Sequence, residues 1–218
     1  AANINGGTTT TGAIELNSNR LINLTIGNNS GTASNGTLTL NGVVVNGVPN
    51  VIIRNNSVGN LTIQNTGSTG NASNTMALAL GNTSDNVIQI ENSGNINISS
   101  VITGTGRSLT KAGNGSGILT LSGNNTYTGA TTVTGGTLSI PKTGYTATIT
   151  TTAVTVAFSP APAIGTYTFL PGALTNGGQT FSATGLAPNQ TASFNFANST
   201  VTVSLSQAAA DYRTKQSG

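Results

Sequence analysis

Leu119-Thr120-Leu121-Ser122-Gly123-Asn124-Asn125 is the stretch that decides the fold. In an extended chain the two leucines share one side and Thr120 points to the other. Gly-Asn-Asn then ends the run, because these residues accept the positive φ that a tight corner needs. Working outward, the same apolar-x-apolar unit recurs as Leu24-Thr25-Ile26, Leu38-Thr39-Leu40, Leu61-Thr62-Ile63, Leu78-Ala79-Leu80, Ile88-Gln89-Ile90, Ile96-Asn97-Ile98 and Leu138-Ser139-Ile140. Corner residues such as Gly27-Asn28-Asn29, Asn55-Asn56 and Gly81-Asn82 stand between the units. Each unit is a period-two strand signal, with the central residue of every triplet facing outward. Stacked, such units predict the coils of a parallel β-solenoid with a narrow aliphatic core. Their irregular spacing keeps a β-sandwich as the competing architecture.

Composition agrees with an all-β chain and narrows the chemistry. Of 218 residues, 29 are Gly, 29 Asn and 39 Thr, while charged residues make up 5%. Amphipathic helices need charged outer faces and strong helix formers, which this chain lacks. His, Cys and Trp are absent, and the carboxylates are Glu15, Asp85, Glu91 and Asp211. No imidazole or thiol is available for acid–base or nucleophilic work, nor for an ordinary zinc or copper site. The expected catalytic, cofactor-binding and metal-binding sets are therefore empty. A net charge of +3 is spread thinly, unlike the clustered cations of nucleic-acid binders. The longest unbroken apolar run, Met76 to Leu80, is too short for a transmembrane helix. The start at Ala1-Ala2 is that expected of a mature exported form after signal-peptide removal.

Two counts place one internal boundary. Twenty-five Asn precede Tyr127, whereas all nine aromatic residues lie at or after it, and five of six Pro fall at or after Pro141. We expect a β-solenoid over 1–140, a β-rich capping or sandwich-like module over 141–207, and a flexible tail over 208–218. The module's expected strands are Thr146 to Thr150, Ala153 to Phe158, Thr166 to Leu170, Gln179 to Ala183, Thr191 to Phe196 and Thr200 to Leu205.

Leu109-Thr110-Lys111-Ala112-Gly113, then Leu119-Thr120-Leu121-Ser122-Gly123-Asn124-Asn125-Thr126-Tyr127-Thr128-Gly129-Ala130-Thr131, then Gly136-Thr137-Leu138 resemble the autotransporter-associated β-strand repeat. That repeat has the shape L-x-K-x-G, L-x-L-x-G-x-N-x-Y-x-G-x-T and G-x-L, here over 109–140, with a longer link at Ser116-Gly117. The resemblance implies a bacterial β-helical passenger, export, and a place at the cell surface or outside the cell. Within it Leu119 and Leu121 face inward, Asn125 turns a corner and Tyr127 covers the coil edge. The chain has no room for an autotransporter's carboxy-terminal membrane barrel, so the reading is a passenger fragment or a secreted relative.

Other motifs have plainer explanations. Gly104-Thr105-Gly106-Arg107-Ser108 lacks the Lys-Ser/Thr and the following helix of a phosphate loop. Ser108-Leu109-Thr110-Lys111 spells S-x-x-K, but a strand places the two ends about 10 Å apart on opposite faces. Asp85 and Glu91 would meet only on adjacent coils, and are read as solvated charges rather than a glycosidase pair. Asn at equivalent corners is expected to form side-chain amide ladders between coils. The Thr stretches Thr8 to Thr11 and Thr146 to Thr150 raise an ice-binding alternative, yet along the chain they are single stretches, not one regular row per coil.

The expected function is thus non-catalytic and structural: an extracellular or surface-displayed protein that builds or decorates a fibre or surface layer. A glycan adhesin or ice-binding solenoid is the alternative, and a polysaccharide-active enzyme comes last. Uncharged terminal strands predict homo-oligomers or homopolymers joined through strand edges, using Ala1, Ala2, Asn3, Ile4 and Asn5 at one end and Val201, Val203 and Leu205 at the other.

Overall fold

The computed structural model describes residues 2–4, 7–17, 23–66, 71–175 and 178–206, with residues 2–4 and 7–11 in backbone course only. Among them there is no helix, and twenty-two strands, numbered in chain order, form four sheets. The first sheet has the spatial order β1 (Ala2–Ile4), β4 (Leu24–Asn28), β8 (Leu61–Thr66), β11 (Ile96–Ile98), β14 (Ile118–Leu121), β16 (Thr137–Lys142), β17 (Tyr145–Ile149), β18 (Ala153–Phe158) and β20 (Thr180–Thr184). The second is β12 (Val101–Thr103), β9 (Thr75–Leu80), β5 (Asn35–Leu40) and β2 (Gly7–Thr11). The third is β15 (Thr131–Val133), β13 (Ser108–Ala112), β10 (Asp85–Ile90), β7 (Val48–Asn55) and β3 (Ile14–Leu16), with β6 (Val43–Val45) folded back onto β7. The fourth is β19 (Gly165–Thr168), β22 (Thr200–Leu205) and β21 (Gln190–Asn195).

The chain visits the first three sheets in turn. Coils 1 to 5 are β1-β2-β3, β4-β5-β7, β8-β9-β10, β11-β12-β13 and β14-β15, and every pair between successive coils is parallel. This is a three-faced β-solenoid. The sandwich reading fails because a sandwich is built on antiparallel hairpins, whereas here antiparallel pairing begins only after β16 and in the β6 hairpin.

Register explains the aliphatic code. Leu24, Leu61, Ile96, Leu119 and Leu138 form one inward row of the first sheet, and Ile26, Ile63, Ile98 and Leu121 the next. Of the sixteen aliphatics expected inside, fifteen are buried, and Leu24 is half-buried against them. Burial of these rows at roughly 25 cal/mol per Å² of apolar area is the main term holding the coils together.

Asparagine closes the corners. Asn60 N–H donates to Asn23 Oδ1 at 2.8 Å, Asn95 N–H to Asn60 Oδ1 at 2.9 Å, and Ile118 N–H to Asn95 Oδ1 at 2.8 Å. A ladder of corner asparagines therefore exists, but it differs from the expected amide-to-amide one: each side-chain carbonyl accepts from the backbone of the next coil. A second set is interior: buried Asn28 donates to Thr75 O, Asn55 to Gly59 O and Asn86 to Ser108 O. Each supplies a donor to a corner carbonyl that strand pairing leaves over.

Beyond β16 the first sheet continues through antiparallel β17 and β18, and then β20, which runs parallel to β18. Leu174 bridges Thr131 in parallel, extending the third face by one residue. The strands expected in this region are all present to within two residues at each end. Tyr145, Phe158 and Tyr167 pack with ring centroids 5.1–5.6 Å apart, and Phe181 lies 5.4 Å from Phe194 and 4.1 Å from Phe196. Larger rings thus replace the thin aliphatic stack.

Candidate functional site

Residues 109–140 run from β13 to β16 and contain coil 5. Leu109, Leu119, Leu121, Val133, Leu138 and Ile140 are buried. Lys111 shares their inward phase, two residues after Leu109, and is buried too. Its Nζ donates to Ala112 O at 2.7 Å and Gly135 O at 3.0 Å, so the ammonium closes a corner as the asparagines do elsewhere. Burial lowers its pKa from 10.5 to about 8, and the Glu91 carboxylate works against that fall.

Two glycines of the segment are fixed by this packing. A Cβ on Gly136 would lie 2.8 Å from Lys111 Nζ, and one on Gly113 would lie 2.1 Å from Ile90 O. Both also have left-handed φ, +68° and +93°.

Coil 5 carries no strand on the second face, where Asn125 and Thr126 take over. Asn125 Oδ1 accepts from Ile102 N–H at 3.0 Å, and Thr126 N–H donates to Ile102 O at 2.8 Å. Tyr127 follows, and here the structure corrects the expectation of an edge cover: the ring is fully buried and fills the core where no strand supplies aliphatics. Its hydroxyl pairs with Thr131 Oγ1 at 2.8 Å, and burial pushes its pKa up to about 12.

The described carboxylates do not assemble. Asp85 opens β10 and Glu91 follows its end, so about 20 Å of extended chain separates them. Both Asp85 oxygens lie 3.0 Å from Thr110 Oγ1. Glu91 lies 3.4 Å from Asn114 N–H, and Glu15 pairs with Arg54. Asp211 lies outside the described residues. Among the described residues no three His, Cys, Asp or Glu come together as a metal would require.

The proposed assembly residues separate into two groups. Ala2, Asn3 and Ile4 form β1, the edge of the first sheet, while β2 and β3 are edges of the second and third. Ala1 and Asn5 lie outside the described residues, as does the tail expected over 208–218. At the other end the structure differs from the expectation. β22 is the central strand of its sheet, paired with β19 and β21, and Val201 and Val203 are fully buried, with Leu205 half-buried. A strand paired on both sides has no backbone groups left for a partner.

Sequence reading also missed a row that runs across strands rather than along them. Thr25, Thr62, Asn97, Thr120, Ser139, Thr148, Thr155 and Ser182 are successive register partners on the outer face of the first sheet. Seven of the eight carry hydroxyls, and strand spacing makes the row about 34 Å long.

A β-solenoid with this inward Lys, corner Gly and buried Tyr is the setting in which the comparison with known families falls. Residues 109–140 match the passenger-associated-transport-repeat, a repeat of autotransporter passengers. No curated protein and no solved structure matches the chain. The segment thus carries a passenger repeat, and the coils around it form the β-solenoid in which it is embedded.

Proposed function

We propose that this chain is a non-catalytic section of an exported bacterial passenger that builds or decorates an extracellular fibre or surface layer. The observation that carries the reading is the passenger repeat at 109–140 forming an integral coil of a solenoid. The scattered carboxylates support a role without catalysis, since hydrolysis of glycosides needs a facing pair.

Assembly proceeds by strand addition in this reading, with the second contact moved away from β22. β1 and β20 are the two edges of the same nine-stranded sheet and run in the same direction, because two antiparallel steps separate β16 from β18 and β20 is parallel to β18. A neighbour's β1 beside β20 would continue the sheet as a parallel pair. Such a head-to-tail contact is heterologous and yields an open fibre where its rotation does not close into a ring. The test is sedimentation of the chain with and without residues Ala1 to Thr11. Concentration-dependent growth that the deletion abolishes is expected, and a monomer at high concentration or an unaffected deletion variant refutes it.

A second reading is favoured by the hydroxyl row of the first sheet: a flat, uncharged array that orders water or ice. Thermal hysteresis that disappears in Thr62→Tyr/Thr120→Tyr would support it, and its absence in the intact chain would remove it.

A further inference from the structure

An open groove crosses the coils where the first sheet passes into the second. Asn35 of coil 2, Met76 of coil 3, Ser99 of coil 4, and Ser122 and Asn124 of coil 5 line a cavity of about 420 Å³. Two further hollows, about 380 and 300 Å³, both have Asn124 and Lys142 in their walls. Through Asn124 the three form one path from coil 2 to the end of β16, about 19 Å at the spacing of neighbouring strands.

The lining specifies the chemistry of a ligand. Ser99, Ser122 and Asn124 side chains have no hydrogen-bond partner among the described residues. Hydroxyls and amides both donate and accept, which suits a hydroxyl-rich molecule. Lys142 is half-buried, and burial lowers its pKa from the ordinary lysine value. Among the described residues it has neither a carboxylate nor a hydrogen-bond partner. The described carboxylates, Glu15, Asp85 and Glu91, lie on or beside the third sheet, away from the groove. An anion would therefore meet a desolvated, uncompensated cation. A peptide is disfavoured, since β12, the edge strand at the groove, already has Ile102 N–H bonded to Asn125 Oδ1 and Ile102 O to Thr126 N–H.

We infer that this groove binds a linear acidic oligosaccharide, its hydroxyls on the Asn and Ser lining and one carboxylate at Lys142. Among the described residues the groove holds no carboxylate, so its lining offers no facing pair for hydrolysing such a chain. The inference is independent of strand-edge assembly, because β1 and β20 take no part in the groove.

Calorimetric titration of the full chain with tetragalacturonate tests it, beside the fully methyl-esterified tetramer and free galacturonate. Saturable binding is expected, weakened at least about tenfold by Lys142→Met and by esterification, and kept within about threefold by Lys142→Arg. The monomer should bind at least about tenfold more weakly than the tetramer, because it spans only one part of the path. Ser122→Trp, which fills the groove from the surface, should abolish binding with thermal unfolding unchanged. No saturable binding of the tetramer, equal affinity for its ester or for the monomer, or retained affinity in folded Lys142→Met or Ser122→Trp overturns the inference. Should Lys142→Met fail to fold, Ser122→Trp and the ester decide alone, and unchanged sedimentation of these variants keeps the outcome separate from assembly.

Discussion

Replacing Lys111 by Met should change how stability depends on pH more than it changes stability at neutrality. In the native chain Lys111 is buried, with a pKa lowered from 10.5 to about 8. Below pH 8 the ammonium is charged in both folded and unfolded chains, and the full desolvation cost is present. Between pH 8 and 10.5 the unfolded chain holds more protons than the native one, so stability rises with pH. The shift corresponds to about 3 kcal/mol at 1.4 kcal/mol per pKa unit, and about 2 kcal/mol after partial solvation at the corner is allowed for. Lys142 is displaced the same way and adds a smaller rise. Above pH 10 the trend reverses, because Tyr127 stays neutral in the core up to about 12 while the unfolded chain ionises. Urea unfolding followed by far-ultraviolet circular dichroism from about pH 7 to 11 should therefore show maximal stability near pH 10. At neutral pH the Lys111→Met variant loses the bonds to Ala112 O and Gly135 O but also the desolvation cost, for a net change within about 1 kcal/mol. Lys111→Met should keep only the small rise due to Lys142, and a Lys111→Met curve parallel to wild type would refute the placement of this ammonium.

Leu121→Asp buries an unpaired charge at a fully buried position and should abolish cooperative unfolding at neutral pH, a loss above about 4 kcal/mol. Asn60→Ala removes the acceptor for Asn95 N–H and should cost about 1 kcal/mol in urea midpoint times slope, with hydrogen exchange at Asn95 accelerated. Tyr127→Phe retains the ring but orphans Thr131 Oγ1, and should cost about 1 kcal/mol while shrinking the decline in stability above pH 10 to the part that the half-buried Tyr145 hydroxyl, raised in the same direction, still causes. Asp85→Asn should leave any glycan binding unchanged, and polysaccharide turnover lost in this variant would overturn the non-catalytic reading.

Much of the fold was legible because the same aliphatic triplet marks β4, β5, β8 to β11, β14 and β16, whatever lies between. Alternation also held the key to Lys111, since Leu109 and Lys111 are two residues apart and must share a face. The habit of placing charges outside hid that signal. Tyr127 was misplaced for a related reason: the sequence does not reveal that coil 5 lacks a strand on the second face, and so leaves core volume for a ring. Val201-Thr202-Val203 reads equally well as an edge or a central strand, because alternation reports faces and not neighbours. The hydroxyl row and the groove were invisible, since each collects only a few residues from each of coils 2 to 5 and the strands beyond.

Coil length explains why only one repeat stands out. Successive partners in the first sheet step by 37 residues from Leu24 to Leu61 and 35 from Leu61 to Ile96, but by 23 to Leu119 and 19 to Leu138. The long coils carry additions at their corners, the Val43–Val45 hairpin among them. The short ones hold little beyond strands and turns, and the passenger repeat covers the end of the first and the whole of the second. A corner projects away from the core, so its insertions cost little beyond slowly growing loop entropy. A shift within a strand would turn every aliphatic outward. Packing therefore constrains the triplets and their register while leaving the spacing free. The repeat at 109–140 is then the least elaborated form of a unit that coils 2 to 4 share, and the groove, which needs only corners in line, survives the variation in their length.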